Sequence, residues 1–171
     1  MNLTPLLVSF ISSSIAAFAC TCVTQANSTA KTLMADDALV LRGTVIERRV
    51  LPPRADMHGR GRYAITFRVV EYWKGTPDQT VVIYGLDPGT DCLGDGAYQV
   101  GKEYLVFVSE QRSRDVRLDD FLWYGWKDIL PEGTAMLVPD TACKPGGEVS
   151  KVRSTLDQLG TGRVPAEGGK R

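Results

Sequence analysis

Two cysteines separated by a single residue, Cys20-Thr21-Cys22, are the part of this chain whose residue types and spacing could do chemistry. In extended backbone, residues i and i+2 share a face, so both sulfurs can turn inward while Thr21 points the other way. Two further cysteines stand far off, Cys92 and Cys143. Disulfides, a zinc site or thiol exchange are the chemistries open to such a set. A Cys-x-Cys pair with two remote single cysteines lacks the paired spacing of a structural zinc site. Thioredoxin-type exchange uses Cys-x-x-Cys in a βαβ context that this chain does not offer. Disulfides remain, and they require export.

The residues ahead of Cys20 point to export. Leu6-Leu7-Val8-Ser9-Phe10-Ile11 is apolar and uncharged, and Ala17-Phe18-Ala19 has the small-x-small pattern of a signal peptidase site. Met1-Asn2-Leu3-Thr4 carries no Lys or Arg, so either the initiator amine is the only positive charge there or the true start lies elsewhere. Residues 1–19 are therefore expected to be a signal peptide, leaving a secreted or periplasmic chain that starts at Cys20. The apolar run is shorter than the roughly 20 residues that span a bilayer, so no membrane association is expected after cleavage. Lipidation of Cys20 is disfavoured by Ala17 in place of Leu and by the bulk of Phe18. Four cysteines in an exported chain read as two disulfides with three possible connectivities. A Cys20–Cys22 bond would close a strained ring, so each of these two is expected to pair with a distant partner.

Little else could catalyse a reaction. The single histidine, His58, sits in a Pro/Gly-rich stretch, and there is no His-Glu-x-x-His, Gly-x-Ser-x-Gly or phosphate-loop pattern. Asp36-Asp37 and Asp119-Asp120 are adjacent pairs whose side chains diverge; they read as a helix end and a solvated turn. The chain is expected not to be an enzyme and to carry no cofactor. Its 20 basic and 20 acidic residues balance, which argues against nucleic-acid binding.

The elements that must position Cys20 and Thr21 read mainly as strands. A short helix is expected over 28–37, capped by Asn27 or Ser28 and lying over one end of the fold. Residues 38–50 form the first long strand and 51–62 a loop. In the next strand Tyr63, Ile65, Phe67 and Val69 alternate with Ala64, Thr66 and Arg68, and the phase slips at Val70, which implies a β-bulge. Lys74 to Asp78 is a turn, Thr80 to Tyr84 a strand, and Gly85 to Gly96 a connection that carries Cys92. Tyr104 to Val108 is an apolar strand, and Gln111 to Asp120 an exposed charged stretch. Phe121-Leu122-Trp123-Tyr124-Gly125-Trp126 is expected to pack on the outer wall. Thr134 to Val138 is the last strand. Val149, Val152, Leu156 and Leu159 mark an amphipathic helix stopped by Gly160. Residues 20–160 make one domain, and 161–171 read as a disordered tail.

Cys20-Thr21-Cys22-Val23, a short helix, and then Ala38-Leu39-Val40-Leu41-Arg42-Gly43-Thr44-Val45 resemble the N-terminal domain of the tissue inhibitors of metalloproteinases. Phe67-Arg68-Val69-Val70-Glu71-Tyr72-Trp73-Lys74-Gly75 and Val100-Gly101-Lys102-Glu103-Tyr104-Leu105-Val106-Phe107 are similar to that family and its bacterial relatives. The resemblance covers residues 20–110 and implies a mainly β fold, a five-stranded OB-type Greek-key barrel of the netrin-module kind with short flanking helices and two disulfides. The disulfide order expected is Cys20–Cys92 and Cys22–Cys143.

The resemblance also implies a function, inhibition of zinc metalloendopeptidases. The freed α-amine and the carbonyl of Cys20 would chelate the target's catalytic zinc, displacing its water. Thr21 would enter the specificity pocket, Val23 would follow along the cleft, and Asp91, Cys92 and Leu93 would complete the binding ridge. The partner implied is a zinc metalloprotease, which supplies its own zinc, and a monomer is expected. The loop around Arg54, His58 and Arg60 is expected to be a solvated hairpin tip. The chain departs from the animal inhibitors in having no proline-rich stretch after Val23, no third N-domain disulfide and no six-cysteine C-terminal domain. A non-inhibitory exported OB-type module that binds a protein or glycan is the alternative.

Overall fold

The computed structural model describes residues 29–52, 62–86, 98–112, 135–139, 144 and 146–166. The elements are α1 (Ala30–Leu33), β1 (Leu39–Leu51), β2 (Arg62–Lys74), β3 (Thr80–Leu86), β4 (Glu103–Arg112), β5 (Ala135–Pro139), β6 (Gly147–Glu148) and α2 (Arg153–Leu159). The strands form one antiparallel sheet in the order β3-β2-β1-β4-β5, with β6 also paired to β4. The two ends of that order, β3 and β5, lie against each other, so the sheet curls into a nearly closed five-strand barrel.

Curling demands bulges, because a regular ladder of this length stays too flat to close. Between β1 and β2 the register shifts three times, leaving Trp73, Val70 and Ile46 as the extra residues. The slip expected at Val70 is thus a bulge opposite Arg42 and Gly43. Tyr63, Ile65, Phe67 and Val69 point inward before it, and Tyr72 packs against the same core after it. Gly43 sits at this bend because a Cβ there would meet the Arg68 carbonyl oxygen at 2.9 Å.

The interior is filled by alternate residues of β1, β2, β3 and β4, among them Leu41, Val45, Phe67, Ile83, Val106 and Val108. A second, smaller core lies outside the barrel wall. There Val40, Leu105 and Phe107 point outward and are covered by Ala30 of α1 and Leu159 of α2. β4 is therefore buried on both faces between Tyr104 and Val108, which is why its sequence is uninterrupted apolar rather than alternating.

Several boundaries differ from the sequence reading. α1 is capped by Thr29, whose Oγ1 accepts from the Thr32 amide at 3.2 Å, rather than by Asn27 or Ser28. It packs on the outer wall rather than over one end, because Val40 and Phe107 offer it an apolar seat there. β4 runs on to Arg112, with Gln111 and Arg112 paired to Met136 and Ala135, so the charged stretch begins inside a strand. Val149 and Val152 precede α2 instead of lying on it; Val152 is its cap residue, and Gly160 ends it at φ 71° as expected.

The chain beyond Gly160 is pinned as far as Pro165. Tyr72 and Arg163 exchange backbone hydrogen bonds at 2.8 Å in both directions, forming an antiparallel bridge on the edge of β2 that β3 leaves uncovered. The Arg163 guanidinium stacks over the Tyr72 ring at 4.6 Å, and the Trp73 indole donates to the Gly160 carbonyl at 2.8 Å. Pro165 is buried. A Cβ on Gly162 would fall 2.8 Å from the Tyr72 carbonyl oxygen, so the close approach needs glycine. The disordered tail expected over 161–171 is replaced, over 161–166, by a strap across β2.

Candidate functional site

Cys20, Thr21, Cys22, Val23, Asp91, Cys92, Leu93 and Cys143 lie outside the described residues, as do Arg54, His58, Arg60 and the aromatic run 121–126. What the structure does describe is the frame from which those segments depart. Thr29 follows the N-terminal segment, Leu86 and Tyr98 flank the one that carries Cys92, and Lys144 follows Cys143.

The N-terminal mount is α1, and four separate devices hold its short turn. Ala30 is buried against Val40, Leu105, Phe107 and Leu159. Its amide donates to Gln158 Oε1 at 3.2 Å, tying α1 to α2. At the other end Lys74 Nζ donates to the Met34 and Ala35 carbonyls at 2.8 and 2.7 Å, satisfying acceptors that a helix end leaves open. Lys74 can reach them because Gly75, at φ 79°, turns the chain directly beneath Ala38 and Leu39. Lastly, Lys144 Nζ lies 3.2 Å from Asp37 Oδ2 and 6.0 Å from the centre of the Phe107 ring. Lys144 and Ala30 thus both pack on Phe107. The residue after Cys143 is thus held to the chain that leads from α1 into β1.

The mount for the Cys92 segment is held by as many contacts. On one side β3 ends with Leu86 paired to Arg62. On the other, Tyr98 meets Phe67 and Tyr104 edge to face, with ring centres 5.4 and 4.9 Å apart. Burial, then the neighbouring Tyr104 hydroxyl, pushes the Tyr98 phenol far above its ordinary range. The Gln99 amide donates to Tyr104 Oη at 3.0 Å, and the turn that follows docks on β1 through Gly101 N to Val45 O, 2.8 Å, and Val45 N to Lys102 O, 2.9 Å. Lys102 then bonds Glu148 at 3.3 Å, and that hydrogen bond holds the Glu148 carboxyl below its usual range.

The hairpin of β1 and β2 forms a third surface. Arg62, fully buried, donates through Nε at 3.0 Å and through Nη2 to the Pro52 carbonyl, closing the base of the loop. Arg48 stacks its guanidinium 3.8 Å over the Tyr63 ring.

The ionic groups near the barrel wall are structural in geometry. Arg42 lies between Glu71, at 3.5 Å, and Glu103, at 2.8 Å, across three neighbouring strands. Glu71 also accepts from the Gly162 amide, so the same carboxylate holds the strap. The expected divergence of Asp36 and Asp37 is seen: Asp36 is exposed and Asp37 buried. Asp119 and Asp120 lie outside the described residues. Among the described residues no group of three His, Cys, Asp or Glu side chains is placed to hold a metal, and no helix is long and apolar enough to cross a membrane.

Sequence reasoning missed the clamp of Asp37 by Lys144 and the strap. Gly160-Thr161-Gly162 was the available sign of the strap, since glycines two apart permit a close backbone crossing as readily as they mark a loose tail. Nothing in the spacing of Asp37 and Lys144, 107 residues apart, foretells their meeting. Comparison of the chain with protein-family models, with curated proteins and with solved structures found no match.

Proposed function

We propose that the chain is an exported inhibitor of zinc metalloendopeptidases, with Cys20 chelating the enzyme's zinc and Thr21 filling its specificity pocket. The observation that carries the reading is the Cys20-Thr21-Cys22 triplet directly behind Ala17-Phe18-Ala19, in a chain similar to the tissue inhibitors of metalloproteinases. The strand order β3-β2-β1-β4-β5, with β3 against β5, agrees with an OB-type Greek-key barrel.

The physical logic is preorganisation. An inhibitor that offers a short terminal wedge loses little ordering entropy only if the wedge is rigid before binding. The fixed α1, the Lys144–Asp37 clamp and the Tyr98 stack favour rigid departure points for the segments that bear Cys22, Cys143 and Cys92. The contact of Lys144 with Asp37, on the chain that follows α1, is compatible with a Cys22–Cys143 disulfide, which leaves Cys92 for Cys20. An α-amine and its own carbonyl close a five-membered chelate on zinc and displace the attacking water.

The test is a panel of zinc metalloendopeptidases incubated with disulfide-intact protein that begins at Cys20. Stoichiometric inhibition of at least one enzyme, lost when Thr21 is replaced by Arg, is the expected result. Full activity of every enzyme at saturating protein would shift the reading to a non-inhibitory binding module.

A further inference from the structure

We propose that the outer half of β1, Ile46–Val50, is a self-complementary sheet edge through which two copies of the chain pair about a two-fold axis. On the side away from β2, β1 is paired with β4 only from Leu39 to Thr44. The ladder closes at Val45, whose amide and carbonyl are taken by Lys102 and Gly101. From Ile46 onward β1 is paired with β2 alone among the described residues. All five residues 46–50 are exposed, Ile46 at 36 % and Val50 at 65 %. An edge strand that carries exposed apolar residues is a template for another strand.

The order of residue types names the occupant. Ile46-Glu47-Arg48-Arg49-Val50 reads apolar, acidic, basic, basic, apolar. Laid antiparallel on a second copy and centred on Arg48, it sets Glu47 opposite Arg49 of the second copy, while Ile46, the extra residue of the bulge, stands outside the regular pairing. The pair occurs twice by symmetry, as an isologous contact requires. A slip of two residues either way would oppose Glu47 to Glu47 or Arg49 to Arg49, so this register is selected.

The faces agree. Glu47 and Arg49 stand opposite Thr66 and Ala64 of β2, and Thr66 Oγ1 donates to Glu47 at 3.3 Å. Arg48 and Val50 stand opposite Ile65 and Tyr63, on the other face. Arg48 is the residue on the axis, and its guanidinium is drawn back over the Tyr63 ring, 3.8 Å away, so the two central charges do not meet head on. The inference departs from the monomer expected above and is independent of Cys20.

The experiment is sedimentation velocity on the disulfide-intact chain from Cys20 across a range of concentrations. Glu47→Arg alone and Arg49→Glu alone each place like charges opposite one another in a homodimer. The same two variants mixed place opposite charges at both positions. The wild-type chain is expected to self-associate, each single variant to do so about tenfold more weakly, and the equimolar mixture to recover the wild-type association. Recovery requires that both variants be folded, so misfolding cannot imitate it. A wild-type chain that stays monomeric at every concentration would overturn the proposal and leave the two arginines as guards against strand addition. So would a dimer indifferent to both substitutions, or a mixture of folded variants that fails to recover.

Discussion

Lys144 holds Asp37 across 107 residues of sequence, with Nζ 3.2 Å from Oδ2 and side chains 12 % and 0 % exposed. A pair so buried is strongly destabilising to break on one side, because the remaining charge loses a counter-ion in a low dielectric. Lys144→Met is therefore expected to lower stability by about 3 kcal/mol, read as a drop in the urea midpoint at unchanged slope. Adding Asp37→Asn to that variant is expected to recover part of the loss. A single substitution that leaves the midpoint unmoved would mean that the contact of Lys144 with Asp37 adds nothing to the stability of the fold.

Tyr98 gives the fold an alkaline limit. Its phenol is raised above the ordinary value of 10.0, first by burial and then by Tyr104. A group whose folded pKa is raised contributes stability that is complete below its unfolded pKa and lost as pH climbs above it. Stability is expected to fall from roughly pH 10 upward, by up to about 1.4 kcal/mol per pH unit for this one group. Tyr98→Phe, which keeps the ring contacts with Phe67 and Tyr104, is expected to flatten that fall in denaturation curves measured between about pH 9 and 11. An unchanged slope would show that Tyr98 ionises freely in the folded chain.

The strap over β2 predicts a local effect of truncation. Ending the chain at Gly160 removes the Arg163 carbonyl to which the Tyr72 amide donates, along with the cation that stacks on its ring. Hydrogen exchange at the Tyr72 amide is expected to accelerate at least tenfold, with the amide of Phe67, deep in the ladder, much less affected. Equal acceleration at both sites would make the strap part of the global fold rather than a local cover.

Much of the barrel was legible because its strands obey simple periods. In β2 the inward series from Tyr63 to Val69 and the slip at Val70 are written in the alternation itself, and the bulge lies there. Val106 and Leu105 read alike, however, since a strand buried on both faces loses its alternation and with it any sign of which side faces the helices. Gln111 and Arg112 read as part of an exposed charged stretch because polar residues carry no hydrophobic signal, although they pair with Met136 and Ala135 of β5. The strap was hidden by composition: Gly162, Arg163 and Pro165 belong to tails more often than to edges, and only tertiary packing against Tyr72 orders them. The residues proposed to meet a protease, from Cys20 to Val23 and from Asp91 to Leu93, are those that the resemblance to the tissue inhibitors of metalloproteinases implies.

Terminal chelation sets the sign of a pH effect. An α-amine has an ordinary pKa of about 7.7–8.0 and must lose its proton before it can bind zinc. Inhibition is expected to weaken by about tenfold for each pH unit below that value. The check is an inhibition constant measured at several pH values on one enzyme, corrected for the enzyme's own profile. A constant that does not vary from roughly pH 6 to 8 would count against amine ligation.

The central claim is met most directly by comparing the inhibition constant of the chain that begins at Cys20 with that of the same chain bearing one extra Ala in front. The added residue converts the Cys20 amine to an amide, which cannot ligate zinc, and leaves the described barrel untouched. Inhibition by the Cys20 form together with its loss in the extended form is the expected result. Equal inhibition by both forms would contradict terminal chelation and place the inhibitory surface elsewhere on the barrel.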